Sequence, residues 1–443
     1  MAAGLAVLWF VAEPAATWAG GWTQTWNLYH YVVGVRFFGE LGYDDLYVAT
    51  LEVDQRHDDA FRQADVVRDL RTYEKGRRAV VIGDYDVDAA LSPERQEELD
   101  TVVRALRESD PKASWRDMFR DRGYNGTPAY TAVASVVARA LPVEHATTRW
   151  LSTTLDPLMI LVGLAAVGWA FGTETTAWVV LLLAVFPGTN WRWFGGFLQY
   201  DWLAALMIAA AGVKRGKPEL AGIALAWATA SRLFPAALLV SLLIPDLRPG
   251  GDRAFARRLV LAFGVALLLF VGVGCLTPRG PGAWLEFVPR ILHHSEQHVL
   301  GDQRIGWRHF ALWTTPDDLR EAVLHARAIP IWAGVALGLG AWGAAVWRRG
   351  REEALQLGWV VVFLVTVSSR YYWAGAALLP TAGLPRGRWL AVGFATTAVA
   401  HAWARSLGAD KHGAYLGVDL AIALLLVVWT LSTVVTPDTD DDR

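Results

Sequence analysis

The sequence predicts an all-α integral membrane protein of about twelve transmembrane helices, with a large and mostly helical first extracytoplasmic loop. Three observations predict it. Of the 443 residues, 54% are hydrophobic and 19% charged, against a charged share of roughly 25% in soluble domains. The charge is also segregated: 36 of the 84 charged residues lie between Gly21 and Pro128, and a long apolar body succeeds that segment. The body breaks into runs of membrane-spanning type with basic flanks. The same arithmetic excludes other classes. A formal net charge of −2 offers no basic surface to nucleic acid, and a lone cysteine, Cys275, allows neither an internal disulfide nor a cysteine-based metal site.

In chain order, residues 1–20 read as a signal peptide or a first transmembrane helix, and the helix is taken here. Residues 21–156 form the first extracytoplasmic loop, or cap. The core runs over 157–276, a second extracytoplasmic loop over 277–328, further core over 329–434, and an acidic cytoplasmic tail over 435–443. The apolar runs are 2–19, 157–171, 175–188, 198–213, 218–231, 233–245, 259–276, 329–346, 356–369, 372–384, 389–404 and 413–434. Several fall short of the ~17–25 residues that a span needs, and read as half-helices or re-entrant pieces. The loops 172–176, 211–217, 246–258, 347–354 and 385–388 hold 12 Lys or Arg in 37 residues. The positive-inside rule places that set in the cytoplasm and both long loops outside the cytoplasmic (inner) membrane. The 23 tryptophans suit aromatic belts at the two faces.

The first loop carries helix signals of its own. Residues 26–41 (WNLYHYVVGVRFFGEL) read as an interfacial helix with an Arg36–Glu40 pair, and 54–74 as a surface helix. Residues 79–83 (AVVIG) read as a strand. Ser92 and Pro93 start a helix whose buried stripe is Leu99, Val102, Val103 and Leu106, ended by Asp110-Pro111. Ser114 and Asp117 form a capping box ahead of Trp115, Met118 and Phe119, stopped at Gly123. The alternating carboxylates Asp84, Asp86 and Asp88 have the look of a hard-cation site. However, Ala89 and Arg95 stand where a calcium loop wants Gly and Glu, so the run is taken as a solvated strand end and no metal ligand is assigned.

The ionisable residues near the spans are more informative. Asp121 lies in RDRGYNGTP (120–128), a turn that leads back into the apolar region; Arg192 and Asp201 lie in WRWFGGFLQYD (191–201); Arg232 lies in SRLFP (231–235); Arg370 lies in SSRYYW (368–373). His293, His294 and His298 lie in the second outer loop with Arg304 and Arg308 after them, and Asp419 sits inside the final run. Each has a bland reading: an arginine can snorkel, an Asp can cap a helix. A charge at bilayer depth nevertheless costs ~2.5–3.5 kcal/mol even on insertion scales, so such residues pair or line a wet cavity. Together they predict an outward-facing polar pocket. A sugar on a polyprenyl phosphate suits it, because the leaving phosphate is a weakly basic anion. It asks for cationic stabilisation and one carboxylate base in place of the carboxylate pair of glycoside hydrolysis.

Several stretches carry a resemblance: NLYHYVVGVRFFGELGYDDLY (27–47), DRGYNGTP (121–128), FGGFLQYDWLAAL (194–206) and LAWATASRLFPAALL (225–239). Over most of its length the chain resembles the GT-C superfamily of polytopic glycosyltransferases, and within it a bacterial group of membrane proteins. The resemblance implies a catalytic acidic residue in the first outer loop and a polyprenyl-phosphate sugar as donor. One departure matters. The acidic residue often follows the first span closely, whereas 20–39 contains no Asp or Glu. The base is therefore open between Asp121, Asp44 and Asp201, with Asp121 ranked first.

The expected activity is inverting transfer of the sugar to an extracytoplasmic acceptor hydroxyl on a glycan or protein. Arg232, Arg370, Arg192 and His294 would hold the phosphate and lipid, and Trp191, Trp193, Tyr371 and Tyr372 would line the sugar or lipid. Membrane lipids and the lipid-linked sugar are the expected partners; a divalent cation is left open. Two rivals stand beside this reading. One is a lipid or solute transporter or flippase, with His401 and Asp419 as intramembrane groups; the other is a non-catalytic scaffold subunit.

Overall fold

The computed structural model describes residues 23–185, 195–300, 304–312, 315–316, 319–383, 386–408 and 411–435. Residues 1–20, the acidic tail, Trp191, Arg192 and Trp193 lie outside the described residues. The chain is overwhelmingly helical. The described sheet consists of two short antiparallel ladders, Val66–Arg68 with Lys75–Arg77 and Arg304–Ile305 with Ser368–Ser369.

Two apolar cores organise it. One fills the cap with Tyr29, Phe37, Tyr47, Leu99, Leu106, Phe119 and Tyr124, and draws in Phe197 and Phe287 from later segments. The other fills the helical body with Trp202, Leu206, Leu225, Leu238, Trp359, Trp373 and Val418. In the cap, the helix Pro93–Ser109 starts where Ser92 Oγ accepts the Arg95 N–H and buries the expected stripe. Thr127 caps Pro128–Ala140 in the same way, with proline at the first helical position.

The cap also corrects three expectations. The 54–74 segment is the end of a helix, Leu46–Arg56, followed by the Val66–Arg68/Lys75–Arg77 hairpin. Residues 79–83 are not a strand but lie largely in the helix Arg78–Ile82, which follows directly on the Lys75–Arg77 strand and packs Val81 against Gly76. The 26–41 segment is helical but buried, and Arg36 pairs with Glu98 at 2.5 Å and with Glu144. Glu40 pairs instead with Arg95 at 2.7 Å, since both carboxylates of that tertiary cluster outcompete the i,i+4 neighbour.

In the body, Asp201–Lys214 packs between Leu155–Val185 and Pro218–Ser231, which itself packs on Arg253–Gly274. The last contact requires glycine: a Cβ at Gly222 would stand 2.6 Å from the Leu259 carbonyl oxygen. Four described helices are long and apolar enough to cross a membrane: Ala146–Ala184, Arg253–Gly274, Ala328–Val346 and Gly417–Val434. Of the roughly twelve runs expected, several of them too short for a full span, four among the described residues meet the length and composition of one. Asp201–Lys214 and Pro218–Ser231, at 14 residues each, reach only about 21 Å of a hydrocarbon core of ~30 Å. Leu155–Val185 breaks at Gly172 (φ 83°, ψ 175°), where the expected runs 157–171 and 175–188 meet.

The four loops that hold the basic residues meet, with the 172–176 turn, at one end of the body. Lys214 meets Glu352 at 3.0 Å and Arg351 meets Asp246 at 2.8 Å. Arg388 pairs with Glu174, and the Arg215 guanidinium lies 5.0 Å from the Trp169 ring. The cap and the candidate polar residues occupy the opposite end.

Candidate active site

Three segments bring the first group together. Tyr29–Val33 winds as a π-helix, a local widening common at functional sites, and presents His30 and Tyr31. The 119–127 turn presents Asp121, Arg122 and Asn125, with Gly123 at φ +69° making the bend. The helix Gly282–His298 presents His294.

Asp121 is half-buried, and its Oδ2 accepts the Trp26 indole N–H at 2.8 Å. Burial pushes the carboxyl up, but His30, the Arg122 backbone N–H, the Trp26 indole and Arg304 outweigh it and hold it below the ordinary carboxylate range. His30 is held between the Trp26 carbonyl and the Tyr47 hydroxyl, each at 2.7 Å. Burial lowers the pKa of His30, and the Asp121 carboxylate beside it works the other way. An ionised, hydrogen-bonded carboxylate at the cap's inner edge is the arrangement a general base requires.

His294 stands next to it. Its Nε2 receives the Asn125 amide at 3.2 Å, and its Nδ1 lies 3.3 Å from the Tyr73 hydroxyl. Burial, with Arg122, Arg304 and Arg290 around it, pushes the imidazole down to about 3. His294 is thus a neutral hydrogen-bonding group, and the positive charge around it comes from those guanidinium groups.

Tyr31 links this group to the helical body. It donates to Asn125 at 3.0 Å and also interacts with Tyr371, while the Arg232 guanidinium lies 5.8 Å from its ring. Arg232, buried, stacks 4.7 Å over Tyr130 and donates to the Ser231 carbonyl at 2.9 Å. The Ser231 hydroxyl donates in turn to Asp201 at 2.6 Å, at the first turn of Asp201–Lys214. Tyr371 and Tyr372 lie 4.2 Å apart, and Tyr372 packs against Phe234 and Trp202. A polar belt therefore runs from Asp121 through Tyr31 to Arg232.

Asp44 is not on that belt. It is ion-paired to Arg290 at 2.6 Å, on the wall of a separate cavity of about 490 Å³ shared with Glu40, Arg71, Arg279 and Glu286. Arg290 stacks on Tyr73, whose hydroxyl lies 3.3 Å from His294 Nδ1. Arg370 opens Arg370–Ala382 beside Tyr371 and is half-buried. In the DYDVD run, Asp86 caps the helix Val87–Ala90 and Asp88 pairs with Arg56. Among the described residues, no three metal-ligating side chains come together.

Tyr31, His30, Asn125 and Arg122 were not among the expected site residues, and Arg304 was placed at the pocket without a role. Asn125 and Arg122 lie inside the 120–128 turn, and Arg304 follows the histidines, so proximity in sequence was their one signal. Nothing in the local pattern distinguished His30 or Tyr31 from the apolar residues around them.

No curated protein and no solved structure matches the chain. A family model described as glycosyltransferase family 87 matches residues 126–369, which is more than half of the chain, and that span takes in Asp201, Arg232, His294 and Arg304. The chain belongs to glycosyltransferase family 87.

Proposed function

We propose that this glycosyltransferase is of the GT-C type and moves a sugar from a polyprenyl-phosphate donor to an acceptor hydroxyl outside the inner membrane. Asp121 removes the acceptor proton. Arg232, with Arg370 and Arg192, receives the departing phosphate, and Tyr371 and Tyr372 line the sugar or the lipid. A single displacement assisted by one base inverts the anomeric carbon. The acceptor is a glycan or a protein, and the basic loops face the cytoplasm. Asp44 and Asp201 are the weaker candidates for the base: each already faces a partner, Arg290 or Ser231.

The observation behind this reading is the belt itself. A carboxylate kept ionised lies next to clustered guanidinium groups, at the end of the helical body away from the basic loops. The test is transfer from a polyprenyl-phosphate sugar by membranes bearing Asp121→Asn. A general base supplies about 10²–10⁴-fold, so transfer is expected to fall by that factor while the donor lipid still binds. Undiminished transfer by Asp121→Asn would remove Asp121 from the role.

A further inference from the structure

Asp419 belongs to the last candidate span, Gly417–Val434, yet it faces neither lipid nor a channel. It is fully buried, and both of its oxygens are directed at one short segment of the second outer loop. Oδ1 accepts the Gly306 backbone N–H at 3.2 Å, and Oδ2 lies 2.6 Å from His309 Nδ1, whose side chain is also fully buried. The segment held in this way begins with Arg304 and Ile305, which pair with Ser369 and Ser368. Arg304 itself donates to Ser369 Oγ at 2.6 Å and acts electrostatically on both Asp121 and His294. Ser369 is followed directly by Arg370 and Tyr371.

We propose that Asp419 is a positioning residue: through Gly306 and His309 it holds the 304–310 segment in register with 368–369, so that Arg304 grips the anionic lipid phosphate. The inference rests on the donor class proposed above. Its physical basis is the cost of a carboxylate at bilayer depth, which is tolerated where the group is satisfied and useful. A displacement of about 1 Å in a binding or reacting group can cost as much as 10²-fold. Gly306 shows how closely the segment is seated. Its φ is +155°, and a Cβ there would stand 2.4 Å from the Thr366 carbonyl oxygen. Arg304 therefore has little freedom once Asp419 is in place, and loses its anchor without it.

The probe is decaprenyl phosphate, titrated into the detergent-purified full chain and read by native mass spectrometry. Arg304→Ala and Asp419→Ala are each expected to weaken binding by at least about tenfold, the scale of one charge-assisted hydrogen bond. The double variant is expected to bind no more weakly than either single one, because both changes remove the same interaction. Losses that multiply in the double variant, or unchanged affinity in a folded Asp419→Ala, overturn the proposal. Should Asp419→Ala fail to fold, His309→Gln, which keeps a donor to Asp419, and His309→Leu, which does not, form the second pair. Only the latter is expected to lose affinity, and equal affinity in the two overturns the proposal. If the unaltered chain does not bind the lipid, the donor reading falls, and the positioning role is read from amide hydrogen exchange over 304–310. Faster exchange in the variant supports the anchor, and unchanged exchange overturns it.

Discussion

The two ends of the helical body use the same residue type in opposite ways. At the basic end, Lys214, Arg258 and Arg388 each meet a carboxylate across a loop junction with both partners partly exposed, while Arg351 meets the buried Asp246. At the other end, Arg232 is buried against tyrosine rings, and Arg122, Arg290 and Arg304 crowd a neutral histidine beside one ionised carboxylate. Exposed pairs are worth about 0–1 kcal/mol, because water and salt screen them. Their value lies in orientation, since loop lysines and arginines select the cytoplasmic side. The guanidinium groups at the far end cost desolvation energy, which a fold tolerates where an anion or a ring compensates it.

The largest effect that would break this comparison is one of sidedness. In a Cys275→Ser background, Lys112→Cys on the exposed cap is expected to react in whole cells with a membrane-impermeant maleimide. Lys217→Cys in the basic loop is expected to react only after permeabilisation. The reverse pattern would put Asp121 in the cytoplasm and remove the extracytoplasmic donor from the proposed reaction.

Next in size is the cost of removing a cation from each end. Arg232→Ala leaves Asp201 buried with its countercharge gone, and unpairing a buried charge destabilises by ~3–5 kcal/mol. The double variant Arg232→Ala/Asp201→Ala is expected to recover part of that loss, as it removes the stranded charge as well. Lys214→Ala, whose side chain is 41% exposed, is expected to stay within about 1 kcal/mol. Thermal unfolding of the purified variants in one detergent measures all three, and equal losses for Arg232→Ala and Lys214→Ala would erase the distinction between the ends.

Legibility in the sequence divides along the same line. An isolated charge in apolar surroundings is conspicuous in one dimension, and Arg232 was visible for that reason; Asp121 was singled out by the turn that leads back into the apolar region, and His294 by the histidine pair it belongs to. The helical character of 93–109 was visible as well, where cap, proline and stripe agree. Asp44 was equally conspicuous, yet it faces another cavity, because its direction is set by Arg290, which lies 246 residues away. Tyr31 and His30 were hidden for the converse reason. In a run such as NLYHYVVG a buried aromatic and a site aromatic are identical, and only packing shows that Tyr31 reaches Asn125 and Arg232. The number of spans is hard to read in one dimension because apolar helices buried within a bundle and helices that face lipid have similar composition. Length separates them, and residues 201–214 and 218–231 are short.

The smallest effect concerns His294, and its sign is set by its surroundings. Burial and three guanidinium neighbours keep the imidazole neutral in the folded protein down to about pH 3. In the unfolded chain it takes up a proton near the ordinary value of ~6.5. Between those limits the unfolded state binds the extra proton, so stability falls as the pH drops from about 6.5 towards 3 and is insensitive to this group above that range. The slope is at most about 1.4 kcal/mol per pH unit. His294→Gln keeps the hydrogen bonding but cannot take up a proton, so the difference in unfolding midpoint between it and the parent should narrow or reverse in the variant's favour on going from pH 7 to pH 5. No such change is expected for Arg388→Ala at the basic end, whose pair with Glu174 is half-exposed. If His294→Gln and the parent lose stability in parallel on acidification, the histidine is charged in the fold. The cationic cluster around it would then have to be far better hydrated than its burial implies.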